Sequence, residues 1–195
     1  FDAGNWEADT LTEDLDLSYR AQMKGWKFKY LINFTSPAEL PAEINSLKSQ
    51  QFRWTKGAIE TAKKLFPRVI KSKMPFKEKL QSFVHLWSNL AYPFILVCAL
   101  LNVPILLIKL GGEYDGVYKF MSVFVFAFIG SFLFYLYSQK DVYTDWQKRI
   151  IYFPLFLSGS MGLSVNNTKA VFEGLINKKS EFVRTPKYKI TTQGD

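Results

Sequence analysis

Gln50-Gln51-Phe52-Arg53-Trp54, read together with Thr12-Glu13-Asp14 upstream, decides what the rest of the chain is built around. In a helix, Gln50, Arg53 and Trp54 stand at i, i+3 and i+4 and share one face. That face carries an amide, a permanent cation and a large flat ring. A guanidinium pairs bidentately with phosphate oxygens, and an indole offers a platform to the apolar face of a sugar. Asp14 adds a carboxylate, the group needed to take a proton from an attacking hydroxyl. Phosphate clamp, sugar platform and base together fit glycosyl transfer from a phosphate-activated sugar. Taken singly, each motif also has a plainer reading. An Arg-Trp pair packs and solvates on a surface helix, and Thr-Glu-Asp caps one.

Around these motifs the composition is divided. Residues 1–82 are mixed and charged, whereas much of 83–165 is apolar and aromatic. The net charge of +8 could serve nucleic acid, but the basic residues flank hydrophobic stretches, a placement that suits a membrane surface better. No nucleic-acid partner is therefore expected. Cys98 is the single cysteine and His85 the single histidine, which excludes a disulfide framework, a thiolate metal site and a multi-histidine metal centre. No Walker-type or Rossmann glycine pattern is present. The chain starts at Phe1 without a methionine, and it is expected to be a fragment.

Taken in order, Thr10-Leu11-Thr12-Glu13 fits a capping box, with Thr12 an alternative N-cap. Leu11, Leu15 and Tyr19 give the helix that follows a buried face, and Gly25 ends it. Trp26, Phe28 and Tyr30 alternate with Lys27 and Lys29 as in a half-buried strand. Pro41 is placed to start the next helix, which carries the Gln50/Arg53/Trp54 face and is expected to stop near Gly57. A third helix carries Ile59, Ala62 and Phe66, and Pro67 must kink it or begin a new turn. From Lys56 to Gln81, eight Lys or Arg stand against two Glu. Residues 58–82 therefore read as interfacial amphipathic helices on anionic lipid.

The region 83–165 is expected to be the membrane part. Spans are placed at about 83–108 and 118–138, and a third apolar segment at 150–165, broken by Pro154, Gly159 and Gly162, is interfacial or re-entrant. Two spans keep the basic loop 139–149 and the basic tail 166–195 on the cytosolic side with the motifs. The expected location is thus a cell membrane, multi-pass, with the motif-bearing part in the cytosol.

Thr12-Glu13-Asp14, then Gln50-x-x-Arg53-Trp54, then membrane spans, resembles the processive membrane-embedded family 2 glycosyltransferases. Asp9 to Ala21 looks particularly like their bacterial cellulose-synthase-like and plant mannan- and glucomannan-synthase-like branches. Phe182-Val183-Arg184-Thr185-Pro186-Lys187 is similar to the Phe-x-Val-Thr-x-Lys gating loop, with Arg184 where that pattern has Val. The resemblance implies an α/β GT-A catalytic domain, of which residues 1–57 are the C-terminal part, followed by an α-helical membrane region. It implies Asp14 as general base for an inverting attack, with Thr12 and Glu13 holding its helix. Trp54 would stack on the acceptor sugar, and Arg53 with Gln50 would neutralise the departing diphosphate. Phe182, Thr185 and Lys187 would close over the nucleotide.

The partners so implied are a UDP- or GDP-sugar, a glycan acceptor and the lipid bilayer. The product would be a growing β-linked polysaccharide, made processively with translocation across the membrane. Mg²⁺ or Mn²⁺ would be held by Asp-x-Asp ligands upstream, with no metal ligand in this fragment, so the fragment alone is expected to be inactive. Two alternatives stay open: a nonprocessive glucosyltransferase acting on ceramide or diacylglycerol, and a noncatalytic membrane subunit that keeps the spans and caps only.

Overall fold

The computed structural model describes residues 2–180 except 32, 33, 35, 37 and 113, with backbone only at 124, 125 and 127. In chain order the helices are α1 (Glu13–Met23), α2 (Ile44–Lys71), α3 (Phe76–Trp87), α4 (Ala91–Leu110), α5 (Asp115–Met121), α6 (Val125–Val142), α7 (Trp146–Arg149), α8 (Phe153–Gly162) and α9 (Ser164–Leu175). They form two compact units, Phe1–Pro93 with Val165–Asp195, and Phe94–Ser164.

In the first unit α1 ends as its sequence dictates. Gly25 takes φ +91°, its N–H bonds the Gln22 carbonyl at 2.9 Å, and the Trp26 N–H bonds that of Ala21 at 3.2 Å, a Schellman ending. Tyr19 of α1 packs with Ala62, Leu65 and Val69 of α2 and Leu86 of α3, and Leu15, Phe66 and Trp87 close the edges of this core. Burying each Leu or Val here contributes roughly 1.5–3 kcal/mol. The Tyr19 hydroxyl meets His85 Nδ1 at 2.8 Å, tying α1 to α3, and burial pushes the phenol above its usual range.

Two local expectations are corrected. α2 does not stop near Gly57 but runs on to Lys71 as one helix of 28 residues with Pro67 inside it. Gly57 is there because another segment lies against it, as shown below, and Ile59, Ala62, Leu65 and Val69 continue the same buried stripe. The expected strand Trp26–Tyr30 is irregular, and Trp26, Phe28 and Tyr30 are 59%, 67% and 88% exposed. Alternation makes a strand only when a neighbouring segment takes up its backbone bonds. Among the described residues none does, and no strand is found. The described residues are helical, and the expected α/β class is not confirmed among them.

α9 ends in a second Schellman turn, made this time with Asn177 at φ 55°. This end and the residues just after it receive two lysines of α2. Lys63 Nζ bonds the carbonyls of Gly174 and Leu175 and Asn177 Oδ1, and the wholly buried Lys56 bonds the Lys178 carbonyl and the Ser180 hydroxyl. Positive side chains at a helix C-terminus satisfy its last carbonyls and its dipole.

In the second unit α6 and α8 pack through Phe153, which is 3% exposed and has Phe128, Phe132 and Tyr135 rings around it at 5.2–5.7 Å. The Tyr135 hydroxyl bonds the Arg149 carbonyl at 3.2 Å, and the Arg149 guanidinium lies 3.8 Å over the Tyr143 ring. Among the described residues one helical run, Phe76–Leu110, is long and apolar enough to cross a membrane, at 35 residues. The segment expected as a second span is α5 and α6 joined by a 3₁₀ turn, Ser122–Phe124. The third apolar segment contains α8, whose 10 residues reach about 15 Å, half of a hydrocarbon core of about 30 Å.

Candidate functional site

The Thr12-Glu13-Asp14 segment is built onto α2. Thr12 is the N-cap of α1 and its carbonyl accepts the Asp16 N–H at 3.1 Å, but its hydroxyl makes no cap. The expected capping box is not formed. Instead Thr12 Oγ1 pairs with the Thr61 hydroxyl of α2 at 3.1 Å, buried. One residue earlier, the Leu11 N–H donates to Glu60 Oε2 at 3.1 Å. These bonds are possible because Gly57, one turn before Thr61, lets the two backbones approach. A Cβ there would lie 2.9 Å from both Leu11 C and Thr12 N. Gly174 of α9 packs on the other side of the same turn, where a Cβ would come within 3.0 Å of Ile59. The helix bearing Gln50, Arg53 and Trp54 is thus held between the Asp14 segment and α9.

Asp14 itself is exposed in the first turn of α1, with Oδ1 accepting the Leu15 N–H at 2.7 Å. It lines a cleft of about 560 Å³ whose walls are the Asp2–Trp6 segment, Leu17, Ser18, Ala21 and Trp26–Phe28. Glu13 points to solvent. On α2, Gln50 and Arg53 are half-buried and Trp54 is 49% exposed. Arg53 lines a second cleft, about 680 Å³, with Leu11, Lys48, Phe52, Asn166, Lys169 and Ser180. The Asn166 amide nitrogen donates to the Lys48 carbonyl at 3.0 Å, and Lys169 Nζ stands 6.0 Å over the Phe52 ring. Asp14 and Arg53 therefore line separate clefts, and the Leu11–Thr12 segment is what joins them. Phe182, Thr185 and Lys187 lie outside the described residues; Ser180, the last described, is in the Arg53 cleft.

An ion cluster lies behind Asp14. Asp16, wholly buried, holds Arg20 Nε at 2.5 Å and Lys64 Nζ at 2.8 Å. Lys64 also pairs with Glu7 at 2.6 Å and Asp9 at 2.8 Å. Burial works against its charge, yet its hydrogen bonds to Asp16, Asp9 and Glu7 hold its pKa above the ordinary lysine range. The same Lys64 bond keeps the Asp9 carboxyl below its usual value.

Residues 2–158 match the family described as Glycosyl transferase family group 2. The chain belongs to that family. It is 29% identical over 181 residues to the probable glucomannan 4-beta-mannosyltransferase 3 of Oryza sativa subsp. japonica, covering 90% of this chain and 30% of that protein. It is 39% identical over 71 residues to glucomannan 4-beta-mannosyltransferase 7 of Arabidopsis thaliana, covering 36% of this chain and 13% of that protein. No solved structure matches. The chain spans less than a third of the length of these relatives.

In this family 2 chain the divalent metal implied by the resemblance finds no fitting site among the described residues. Glu7, Asp9 and Asp16 bring carboxylate oxygens within 4.8 Å of one another, but the Lys64 ammonium sits among them. Sequence reasoning named the motif residues of the site and missed its supports: Gly57, Glu60, Thr61, Asp16 and Lys64. One signal was legible, since Gly57, Glu60 and Thr61 fall at i, i+3 and i+4 on α2 and so share a face.

Proposed function

We propose that the chain carries the acceptor-activating and diphosphate-binding end of an inverting hexosyltransferase. It would move a sugar from a nucleotide-diphosphate donor to a β-linked glycan. The observation that carries this reading is the joint between the two motifs. Thr12–Thr61, Leu11–Glu60 and the Gly57 contact lock the Asp14 segment to the Arg53 helix, so that a base and a phosphate-binding cation are held in fixed relation. The names of the plant relatives favour a mannosyl donor, as the GDP- or UDP-sugar, and a glucomannan-like acceptor.

Asp14 accepts the proton of the acceptor hydroxyl as its oxygen attacks the anomeric carbon, and the bond from that carbon to the diphosphate oxygen breaks with inversion. Trp54, half exposed, offers its ring to the acceptor sugar. Arg53, with Gln50 one turn before it, takes up charge developing on the departing diphosphate. Phe182, Thr185 and Lys187 close the donor side. A divalent cation bound outside the described residues would add positive charge to the diphosphate.

The membrane reading extends this. Residues 58–82 lie at the cytosolic surface, 83–108 and 118–138 cross, and 150–165 stays at the interface, which the short α8 supports. Successive additions then feed one chain into the bilayer, processively. The full-length protein in membranes with labelled nucleotide sugars tests the proposal. A polymeric labelled product is expected, and Asp14→Asn should lower transfer on the order of 100- to 10,000-fold while donor binding persists. A lipid-sized product refutes the polymer, and Asp14→Asn activity near wild type removes the base.

A further inference from the structure

Behind the exposed Asp14 lies a set of buried charges that the proposed chemistry does not use. Asp16 is wholly buried and Arg20 is 4% exposed, yet both are ionic, and isolated buried ions are costly unless paired. Their pairing reaches outward to the segment that walls the Asp14 cleft and to Lys64 of α2. Arg20 Nη1 donates to the Ala3 carbonyl at 2.7 Å and Nη2 to that of Asn5 at 2.8 Å, with Glu7 3.3 Å away. Between those two carbonyls sits Gly4, at φ +79°, where an added Cβ would lie 2.7 Å from Arg20 Nη1. Only glycine accepts that backbone and that guanidinium together. From the other side Lys64 of α2 holds Glu7 and Asp9, so one ammonium joins α2, the buried Asp16 and the far end of the same segment.

We infer that Asp16, Arg20 and Lys64 are positioning residues for the acceptor: an internal ion-pair hub fixes the Ala3–Asp9 segment as the rigid wall of the cleft into which Asp14 projects. The ammonium does here what a bound cation does elsewhere, gathering three carboxylates from one loop and a helix, with the difference that it is covalently part of α2. Because α2 also bears Arg53, the hub sets the acceptor wall in register with the phosphate-binding side. This rests on the reading of Asp14 as the base, and its ligand class is the glycan whose hydroxyl Asp14 would deprotonate.

The test uses the full-length enzyme in native membranes, with a soluble β-linked oligosaccharide as acceptor and the nucleotide sugar as donor. Lys64→Met keeps the stem and removes the charge. It should raise the acceptor KM on the order of tenfold, the effect of a sub-ångström displacement of the wall, since about 1 Å can cost about 100-fold, with donor KM unchanged. Lys64→Arg should restore most of the loss. Glu7→Gln, which removes an exposed partner and leaves Asp16 paired, should shift the acceptor KM in the same direction by less. A fall in kcat with both KM values unchanged, or an equal rise in both, overturns the inference, since it marks a loss of folded enzyme or a general distortion. Asp14→Asn is measured beside them. If it keeps its activity the base assignment fails, while the KM split of the Lys64 variants still decides the hub.

Discussion

Replacing Gly57 by alanine puts the joint between the two motifs under direct strain. The new Cβ would lie 2.7 Å from Thr12 Cγ2, 2.9 Å from Leu11 C and 2.9 Å from Thr12 N. Carbon atoms rest about 3.5–4.0 Å apart, so each contact is too close by roughly 0.6–1.3 Å. The Thr12 methyl can turn aside only by giving up the Thr12–Thr61 bond, and the two backbone atoms cannot turn at all. The segment must therefore move off α2 by roughly an ångström. Overpacking of this kind costs about 1–3 kcal/mol, and the better helix propensity of alanine returns about 0.5–1 kcal/mol. The net destabilisation is at most about 2.5 kcal/mol, several degrees in Tm. Transfer is far more sensitive, because a misplacement of about 1 Å can lower a rate about 100-fold. The assay is sugar transfer by the full-length enzyme beside its melting curve, with Gly130→Ala as control, where an added Cβ meets nothing within 4 Å. Expected is a rate loss of about two orders of magnitude with folding nearly intact. Activity within about threefold of wild type would refute the idea that this contact sets the site.

Arg53→Lys should lose on the order of 100-fold in kcat despite keeping its charge, because an ammonium cannot reproduce the planar fork; a normal rate would make Arg53 structural. Single cysteines at Gly112 and Ser180, in a Cys98→Ala background, should label from opposite faces of sealed vesicles, and labelling from one face would end the two-span topology. The ion cluster should hold the Ala3–Asp9 segment across a wide pH range, read by amide hydrogen exchange. Asp9, lowered from 3.8, contributes above that value and loses its contribution as pH falls through the lower folded pKa, whereas Lys64, raised from 10.5, contributes below that value and loses it as pH rises further. Protection should thus be flat from about pH 5 to 10, and a break near neutrality would mean another group governs it.

Much of the fold was legible where the signal is local. The stop of α1 at Gly25 rests on one residue that tolerates positive φ, and the apolar stripe of α2 repeats at helical spacing. The misreadings share a cause in tertiary context. Gly57 has the letters of a helix end, but a glycine also permits close approach of another backbone, and which of the two applies depends on Leu11 and Thr12 far up the chain. Thr12-Glu13 has the letters of a cap, but its hydroxyl found Thr61 first. Trp26–Tyr30 alternates correctly and still makes no strand, because alternation supplies one half of a ladder and another segment must supply the other.

The lysines show the same limit more sharply, and they bear on function. Along the sequence, Lys56 to Gln81 is a block of eight basic residues against two Glu, which reads as a face turned to lipid. In space, Lys64 is bound by Glu7, Asp9 and Asp16, Lys56 and Lys63 by the end of α9, and Lys79 by the Ile70 carbonyl at 2.8 Å. Those partners come mostly from before residue 17 and after residue 173, so no window along the chain contains both sides of the account. What stays outward is Arg68, Lys71, Lys73 and Lys77, beside the exposed Ile70, Phe76 and Leu80. The charge available to a membrane surface is therefore half of what the sequence displays, and it is concentrated at the α2–α3 corner. Attraction to anionic lipid, at about 1 kcal/mol per cation near the surface, must then come from that corner. The other half of the block acts inside the protein: three of its lysines hold α2 to the segment that carries Asp14 and to α9, and the fourth caps the end of α2.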